Sequence, residues 1–167
     1  MTRPRTQIPF NWPEPPFHIV LVEPEIPQNT GNIARLCAAT GTTLNLIEPL
    51  GFRLTDREVK RAGLDYWDSV KIQRHASFKE FLRSPPATRH PKLFFFSTSG
   101  TKSYTEATYR PGDCLIFGSE GAGLPAAIYE KYAGRLYRIP MWNDHVRSLN
   151  LSTSAGIVLY EALRRAQ

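Results

Sequence analysis

Short apolar runs alternate with segments of helical periodicity from His18 to the C-terminus, and this alternation limits the possible folds most strongly. The runs predicted as strands are Ile19–Val22, Thr43–Ile47, Ser69–Ile72, Leu93–Phe96, Cys114–Phe117 and Leu136–Ile139. Compact apolar runs such as Cys114–Phe117 are typical of strands covered on both faces. The sequence therefore predicts one α/β domain over residues 18–167, with a mostly parallel sheet and helices on both faces.

Helices are predicted between these runs from the spacing of apolar residues and from end signals. They cover Gln28–Thr40, ended by Gly41; Thr55–Arg61, capped by Thr55; Ser77–Leu82, capped by Ser77; Pro125 to about Tyr132; and Leu151 to the C-terminus. Residues 1–17 are rich in proline, which continues neither a helix nor a central strand. We expect these residues to form a flexible or extended arm.

Composition restricts the class of protein less than the pattern does. The 167 residues suffice for one apolar core, and the net charge of +6 weakly favours a polyanionic partner such as nucleic acid. No apolar run approaches the length of a membrane span and no secretory signal is visible, so a cytoplasmic protein without membrane contact is expected. Cys37 and Cys114 lie in apolar stretches away from clustered histidines, which predicts buried thiols and no metal site.

Three segments are richer in glycine, amide and hydroxyl groups than packing requires. The first, Pro27–Arg35, is a predicted strand-to-helix turn whose free N–H groups suit a phosphate or ribose oxygen. Asn32 and Arg35 lie three positions apart and can share one helix face. Ordinary capping by Asn29 or Thr30, with Arg35 as a surface residue, explains the same pattern.

The other two segments follow predicted strands. In Phe117–Pro125, three glycines allow the backbone to approach a ligand, although their order is not that of a dinucleotide-binding loop. Glu120 within this loop is hard to explain as part of a turn. The third segment combines Ile139–Met141 with Val146–Ser154, where Ser148 and Asn150 precede the last helix. Some of its polar groups must cap that helix, and the others could hold a ligand.

In this order, the three segments resemble the three motifs of the SPOUT class of RNA methyltransferases. The similarity covers nearly all of residues 18–165. Within the class, Glu23–Pro27, Ile47–Phe52 and Arg61–Tyr66 are most similar to the small TrmL (YibK-type) branch. Members of that branch methylate the 2′-hydroxyl of the wobble nucleotide, cytidine or uridine, in certain leucine tRNAs.

The resemblance implies a C-terminal trefoil knot, an obligate homodimer whose active site draws on both subunits, and S-adenosylmethionine as the cofactor. Its substrate partner would be tRNA. Carried over position by position, the residues at or near the cofactor are Phe96, Thr98, Gly118, Glu120, Gly121, Ile139, Met141, Ser148 and Leu149. The chain departs from its relatives at Ser119, at Ala122 and in the loop 142–146, which is about one residue longer. These departures concern substrate contacts more than methyl transfer.

Methyl transfer to a hydroxyl requires alignment and removal of the hydroxyl proton. The resemblance makes Arg35 the candidate base, but an arginine stays protonated in proteins. We therefore predict that Arg35 pairs with an adjacent RNA phosphate and stabilises the developing alkoxide. Asn32, Ser148 and Asn150 are predicted to orient the ribose. Glu120 is predicted to hydrogen-bond the ribose or a loop N–H, with the base role less favoured.

Further RNA contacts are predicted from charge. The cationic residues expected to bind tRNA phosphates are Arg35, Arg53, Arg57, Lys60 and Arg61. A solvated helix face explains the last four equally well. Tyr66 and Trp67 could stack on an anticodon base, although packing at a dimer interface is favoured. His145 precedes Ser148 in the same loop and is a candidate general base, although a histidine in such a loop is more often an ordinary surface residue.

Three alternatives stay open at this point. A sibling methyltransferase would act on another tRNA position or on rRNA, since fold does not determine the target. A non-catalytic RNA-binding factor would retain the fold without labelling RNA. A dinucleotide- or phosphate-binding α/β enzyme is disfavoured by the order of the glycines.

Overall fold

The computed structural model describes residues 8–54 and 69–167. Its strands are β1 (His18–Val22), β2 (Thr43–Ile47), β3 (Ile72–His75), β4 (Leu93–Phe96), β5 (Lys102–Ser103), β6 (Cys114–Phe117) and β7 (Leu136–Arg138). Its α-helices are α1 (Pro27–Thr40), α2 (Phe78–Phe81), α3 (Pro85–Thr88), α4 (Ala126–Lys131) and α5 (Leu151–Arg165). The predicted helix Thr55–Arg61, and with it Arg57, Lys60, Arg61, Tyr66 and Trp67, lies outside the described residues.

The strands form one sheet in the order β3-β2-β1-β6-β4-β7-β5, and every neighbouring pair is parallel. Central strand β1 pairs Ile19 with Leu44 on one side and with Leu115 on the other. Because all strands run the same way, their carboxyl ends meet at one edge of the sheet. The prediction of a mostly parallel α/β sheet is confirmed.

The two faces of the sheet are both covered, as the uninterrupted apolar runs predict. Along β1, Ile19 and Leu21 pack with α1 and α5 on one face, whereas Val20 and Val22 pack with α2 and α4 on the other. All four of these side chains are at most 1% exposed. The two apolar clusters pack the sheet between helices, so the loops at its carboxyl edge extend from a well-packed core.

Helix α1 ends where its sequence signals predict and begins one residue before the predicted Gln28. Pro27 occupies the first turn, where its missing N–H costs nothing. Gly41 ends the helix with φ of 69° and donates its N–H to the Cys37 carbonyl. The expected capping side chains are absent: the N-cap residue is Ile26, which makes no side-chain cap bond. Asn29 and Thr30 instead lie buried inside the helix.

Three strand predictions needed correction. The predicted strand Ser69–Ile72 was misplaced, because β3 runs over Ile72–His75 and pairs with β2. Its buried end is polar: the His75 ring nitrogen Nε2 lies 3.1 Å from Asn45 Oδ1. A strand whose buried end is polar lacks the apolar pattern from which strands are predicted. The two-residue β5 was missed for the same reason, and β7 ends one residue earlier than predicted.

The described part of the N-terminal arm contacts the domain. Phe17 is fully buried, and Phe10 packs against the cluster beneath α1 and α5. Asn11 and Gln167 exchange two hydrogen bonds, from the Asn11 N–H to Gln167 Oε1 and from Gln167 Nε2 to the Asn11 carbonyl. Residues 8–17 are therefore joined to the C-terminus of the chain, and flexibility stays a prediction for residues 1–7 alone.

Candidate active site

A cavity of about 660 Å³ opens at the carboxyl edge of the sheet, between the loops that follow β4, β6 and β7. In a parallel sheet this edge collects side chains that are far apart in sequence. The structure brings together there every residue predicted to contact the cofactor, namely Phe96, Thr98, Gly118, Glu120, Gly121, Ile139, Met141, Ser148 and Leu149. The individual role of each in binding stays a prediction.

The loop after β6 is a narrow hairpin that only glycine permits at its base. Ser119 and Gly123 exchange two backbone hydrogen bonds of 3.0 Å, and Gly123 has φ of 73°. A Cβ placed on Gly118 would lie 2.1 Å from the Gly123 carbonyl carbon. Ala122 N–H is bound by the Ser119 hydroxyl at 3.2 Å. Glycine at position 118 is thus required by a close approach of two backbone segments.

Glu120 anchors this hairpin to the start of α1. Its carboxylate accepts from the backbone N–H groups of Glu25 at 2.7 Å and Ile26 at 3.2 Å, and from Asn29 Nδ2 at 3.0 Å. Glu25 returns the contact, because its carboxylate accepts from the Gly121 N–H at 3.0 Å. A carboxylate near a helix N-terminus is favoured by the helix dipole. Both Glu120 oxygens are therefore engaged by the protein itself.

Asn29 extends this network to the third segment. Its Oδ1 accepts from Asn150 Nδ2 at 2.9 Å, and Asn150 Oδ1 in turn caps α5 by accepting from the Ser152 and Thr153 N–H groups. Asn29 is only 5% exposed and lines the cavity. The sequence allows capping as one role for Asn29, because periodicity alone does not tell which helix face meets a loop 91 residues later. The three polar segments are thus joined by Glu120, Asn29 and Asn150.

Asn32 and Arg35 lie elsewhere. Both are exposed on α1, and neither lines the cavity at the carboxyl edge of their own chain. Arg138 and Arg147, which are not among the predicted site residues, do line it. Arg147 directly precedes Ser148, so its position in the third segment is the sequence signal that identifies it.

The remaining predicted residues are spread over the surface. Ser148 is exposed at the cavity wall, and Asn150 lines the cavity as well. His145 is exposed beside the cavity without lining it, as a surface histidine would be. Arg53 is exposed and lies outside the cavity. In the neighbouring loop, Trp142 is 99% exposed.

The two cysteines are free and buried, as predicted. Burial raises the pKa of the Cys37 thiol far above its ordinary value, and it raises the pKa of Cys114 to about 12. Both thiols are therefore protonated at neutral pH and are unsuited to nucleophilic chemistry. Over residues 8–54 and 69–167 there is no group of three or more metal-ligating side chains, and no helix is long and apolar enough to cross a membrane.

A parallel sheet with a glycine-lined cavity at its carboxyl edge defines a class of cofactor-binding α/β enzymes. Within that class, the model of the SpoU rRNA Methylase family matches residues 16–160, and the chain belongs to this family. The resemblance found in the three polar segments is thereby confirmed. The trefoil knot that it implies stays a prediction.

Individual relatives agree with the family assignment. The tRNA (cytidine(34)-2′-O)-methyltransferase of Escherichia coli (strain K12) is 47% identical over 150 residues, covering 89% of this chain and 93% of that protein. A solved structure described as giving insights into the 2-OH methylation of C/U34 on tRNA has a TM-score of 0.83 at 48% identity, covering 89% of this chain and 95% of that chain. The SpoU methyltransferase AviRb from Streptomyces viridochromogenes, in complex with AdoMet, gives a TM-score of 0.78 at 25% identity, covering 89% and 57%.

Proposed function

We propose that this protein transfers a methyl group from S-adenosylmethionine to the ribose 2′-hydroxyl of nucleotide 34, cytidine or uridine, in tRNA. The observation that carries the proposal is the single cavity built from the three polar segments, in a chain 47% identical to a tRNA (cytidine(34)-2′-O)-methyltransferase over most of both lengths. Leucine tRNAs are the proposed substrates. Acting on tRNA, the protein is proposed to work in the cytoplasm.

The cavity suits the cofactor by size and by chemistry. Its volume lies within the range of about 300–1,000 Å³ that is usual for small-molecule sites. Phe96, Leu124 and Ile139 offer an apolar surface for a base, while the backbone after Gly118 comes close without side chains intervening. Bound S-adenosylmethionine supplies an electrophilic methyl group on a sulfonium. Arg138 and Arg147 add positive charge to the wall for anionic groups of cofactor or RNA.

Glu120 is proposed as a positioning residue, not a general base. Its two oxygens already accept from two backbone N–H groups and one amide, so little capacity remains for a substrate proton. Asn29 and Asn150 then hold the hairpin after β6 in register with the start of α5. In this arrangement Ser148 stays exposed at the cavity wall, where it can accept or donate a hydrogen bond to the ribose.

We propose a homodimer in which Arg35 and Asn32 of one subunit reach the cavity of the other. Both residues are exposed on α1 and neither lines the cavity of its own chain. Arg35 would pair with an RNA phosphate and stabilise the developing alkoxide, while the proton leaves to phosphate or water. Arg53, together with residues 57, 60 and 61, would add phosphate contacts.

Subunit mixing tests whether Arg35 of one subunit completes the active site of the other. Arg35→Ala and Ser148→Ala chains are each expected to be inactive alone, while a mixed dimer regains one complete site because each chain supplies what the other lacks. Methyl transfer to tRNA from co-expressed, doubly tagged dimers measures the effect. If each subunit used its own Arg35, the mixed dimer would carry one defect in each site and stay inactive.

The target nucleotide is tested by mapping. Purified protein with labelled S-adenosylmethionine is expected to label leucine tRNA transcripts at nucleotide 34, and a transcript carrying 2′-deoxyribose there should remain unlabelled. Label at another position, or only in rRNA, would support a sibling methyltransferase. Binding of tRNA with no label at all would support a non-catalytic RNA-binding factor.

A further inference from the structure

A second cavity, of about 330 Å³, lies at the opposite edge of the sheet, where the strands begin. We call it the amino-edge cavity. Its walls are His18 at the start of β1, Lys71 before β3, the segment 89–92 before β4 and the segment 110–113 before β6. The five residues of β1 alone separate the two edges by about 16 Å. A group bound here is thus distinct from one bound in the candidate active site.

The charge of the amino-edge cavity is strongly one-sided. Its cationic side chains are Lys71, Arg89, Lys92 and Arg110, and its only carboxylate among the described residues is Asp113. Asp113 is 3% exposed, and its two oxygens accept from the backbone N–H groups of Lys92 at 2.8 Å and Arg110 at 2.7 Å. Asp113 therefore joins the two loops, and the four cationic residues line the cavity at exposed positions.

His18 adds a buried polar atom with no partner. Its Nδ1 is out of contact with solvent and makes no hydrogen bond within the described part of the chain. Burial, with Lys71 and Arg89 nearby, lowers the pKa of His18 to about 4. The ring is therefore neutral at pH 7 and adds no charge to the cavity wall. Clustered like charges cost free energy, and an oxygen-rich anion bound among the four cations lowers that cost.

We infer that the amino-edge cavity is a phosphate-binding site, occupied by a backbone phosphate of RNA outside the nucleotide that is methylated. Arginine and lysine side chains are the usual partners of phosphate, and Arg89 and Arg110 can bind it through paired N–H groups. The choice of RNA as the source rests on the proposed tRNA methylation. Recognition of phosphate rests on the cavity alone.

The test compares Arg89→Ala/Arg110→Ala with a matched control, Lys79→Ala/Arg135→Ala. The control removes the same charge from exposed positions outside both cavities. Dissociation constants for full-length tRNA are measured over a range of salt concentrations. The double arginine variant should bind tRNA about 10-fold more weakly at low salt, and its salt slope should fall by about one to two. The control should match the wild type.

A second measurement tests whether the cavity binds phosphate when no RNA is present. Pyrophosphate is titrated while the imidazole resonances of His18 are followed by NMR; they should shift in the wild type and control and not in the arginine variant. Shifts combined with unchanged tRNA affinity would overturn RNA as the occupant in favour of a free phosphate compound. No shift and no tRNA effect would overturn the site.

A charge-conserving variant and the affinity for S-adenosylmethionine serve as two further controls. Arg89→Lys/Arg110→Lys keeps the charge and should retain the salt slope of tRNA binding. A fall in salt slope as large as that of the alanine variant would show a packing effect and contradict the inference. S-adenosylmethionine affinity should remain within about twofold in all variants, a ratio worth less than 0.5 kcal/mol. A wild-type protein that binds pyrophosphate but methylates no tRNA would contradict the proposed function and leave the phosphate site standing.

Discussion

At the residue scale, Glu120 joins segments of the chain that lie 95 positions apart. The sequence predicts a hydrogen bond from Glu120 to the ribose or to a loop N–H, and the structure shows two backbone N–H groups and one amide around its carboxylate. Capping is one role that the sequence allows for Asn29, and in the structure this residue is the central member of the network. In both cases the partner is remote in sequence, so no local pattern could name it.

Replacing Glu120 tests whether it positions the loop or takes a proton. Glu120→Gln should lower the unfolding free energy by about 1.5–3 kcal/mol, the range for hydrogen bonds to charged groups, because an amide nitrogen now faces N–H donors. Urea unfolding measures the change, with Glu130→Gln on the exposed face of α4 as control. Normal stability together with loss of the acidic limb of the pH–rate profile would instead identify a general base.

Gly118 tests the close approach at the base of the hairpin. Gly118→Ala must push the Gly123 carbonyl away, which should cost about 1–3 kcal/mol and weaken S-adenosylmethionine binding about 10-fold or more. Gly134→Ala is the matched control, because a Cβ there meets nothing within 4 Å. Equilibrium dialysis with labelled cofactor gives the two affinities. Equal affinities would mean that the loop adapts freely and that the glycine is dispensable.

At the element scale, Asn150 both caps α5 and holds Asn29. Asn150→Ala should lose about 1 kcal/mol of stability with the cap, and methyl transfer as well. Asn150→Asp keeps the capping oxygen but lacks the Nδ2 donor, so its melting temperature should stay near that of the wild type while activity falls. Thermal unfolding and methyl transfer are measured together. An active Asn150→Asp variant would show that the bond to Asn29 is unnecessary.

Element boundaries were predictable where the signals are local. Gly41 ends α1, Ser77 caps α2 through the Glu80 N–H, and β6 matches its apolar run residue for residue. Predictions failed at the sheet edges. There β3 depends on pairing with β2 and on the buried contact of His75 with Asn45, which are tertiary effects.

At the scale of the whole molecule, stability should depend on the ionisation of His18. Its pKa is lowered from 6.5 to about 4 in the folded protein, so between these values the unfolded chain binds the extra proton. The His18 contribution is fully present above pH 6.5 and is lost as pH falls toward 4, at less than the limiting value of about 1.4 kcal/mol per pH unit. His18→Gln should flatten the unfolding free energy across this window in urea titrations. Parallel wild-type and variant curves would contradict the assignment.

The sequence by itself determined the alternation of strands and helices, the family, and the set of nine residues that line one cavity. The alternation follows from apolar periodicity and end signals, which are properties of neighbouring positions, whereas the family and the nine residues follow from the resemblance of the three polar segments to known methyltransferases. Only the tertiary structure decided that Asn29 faces the cavity while Asn32 and Arg35 do not, and that cations from three separate segments line the amino-edge cavity with His18. The reason is physical: parallel pairing sets the register between distant segments, and register determines which side chains meet.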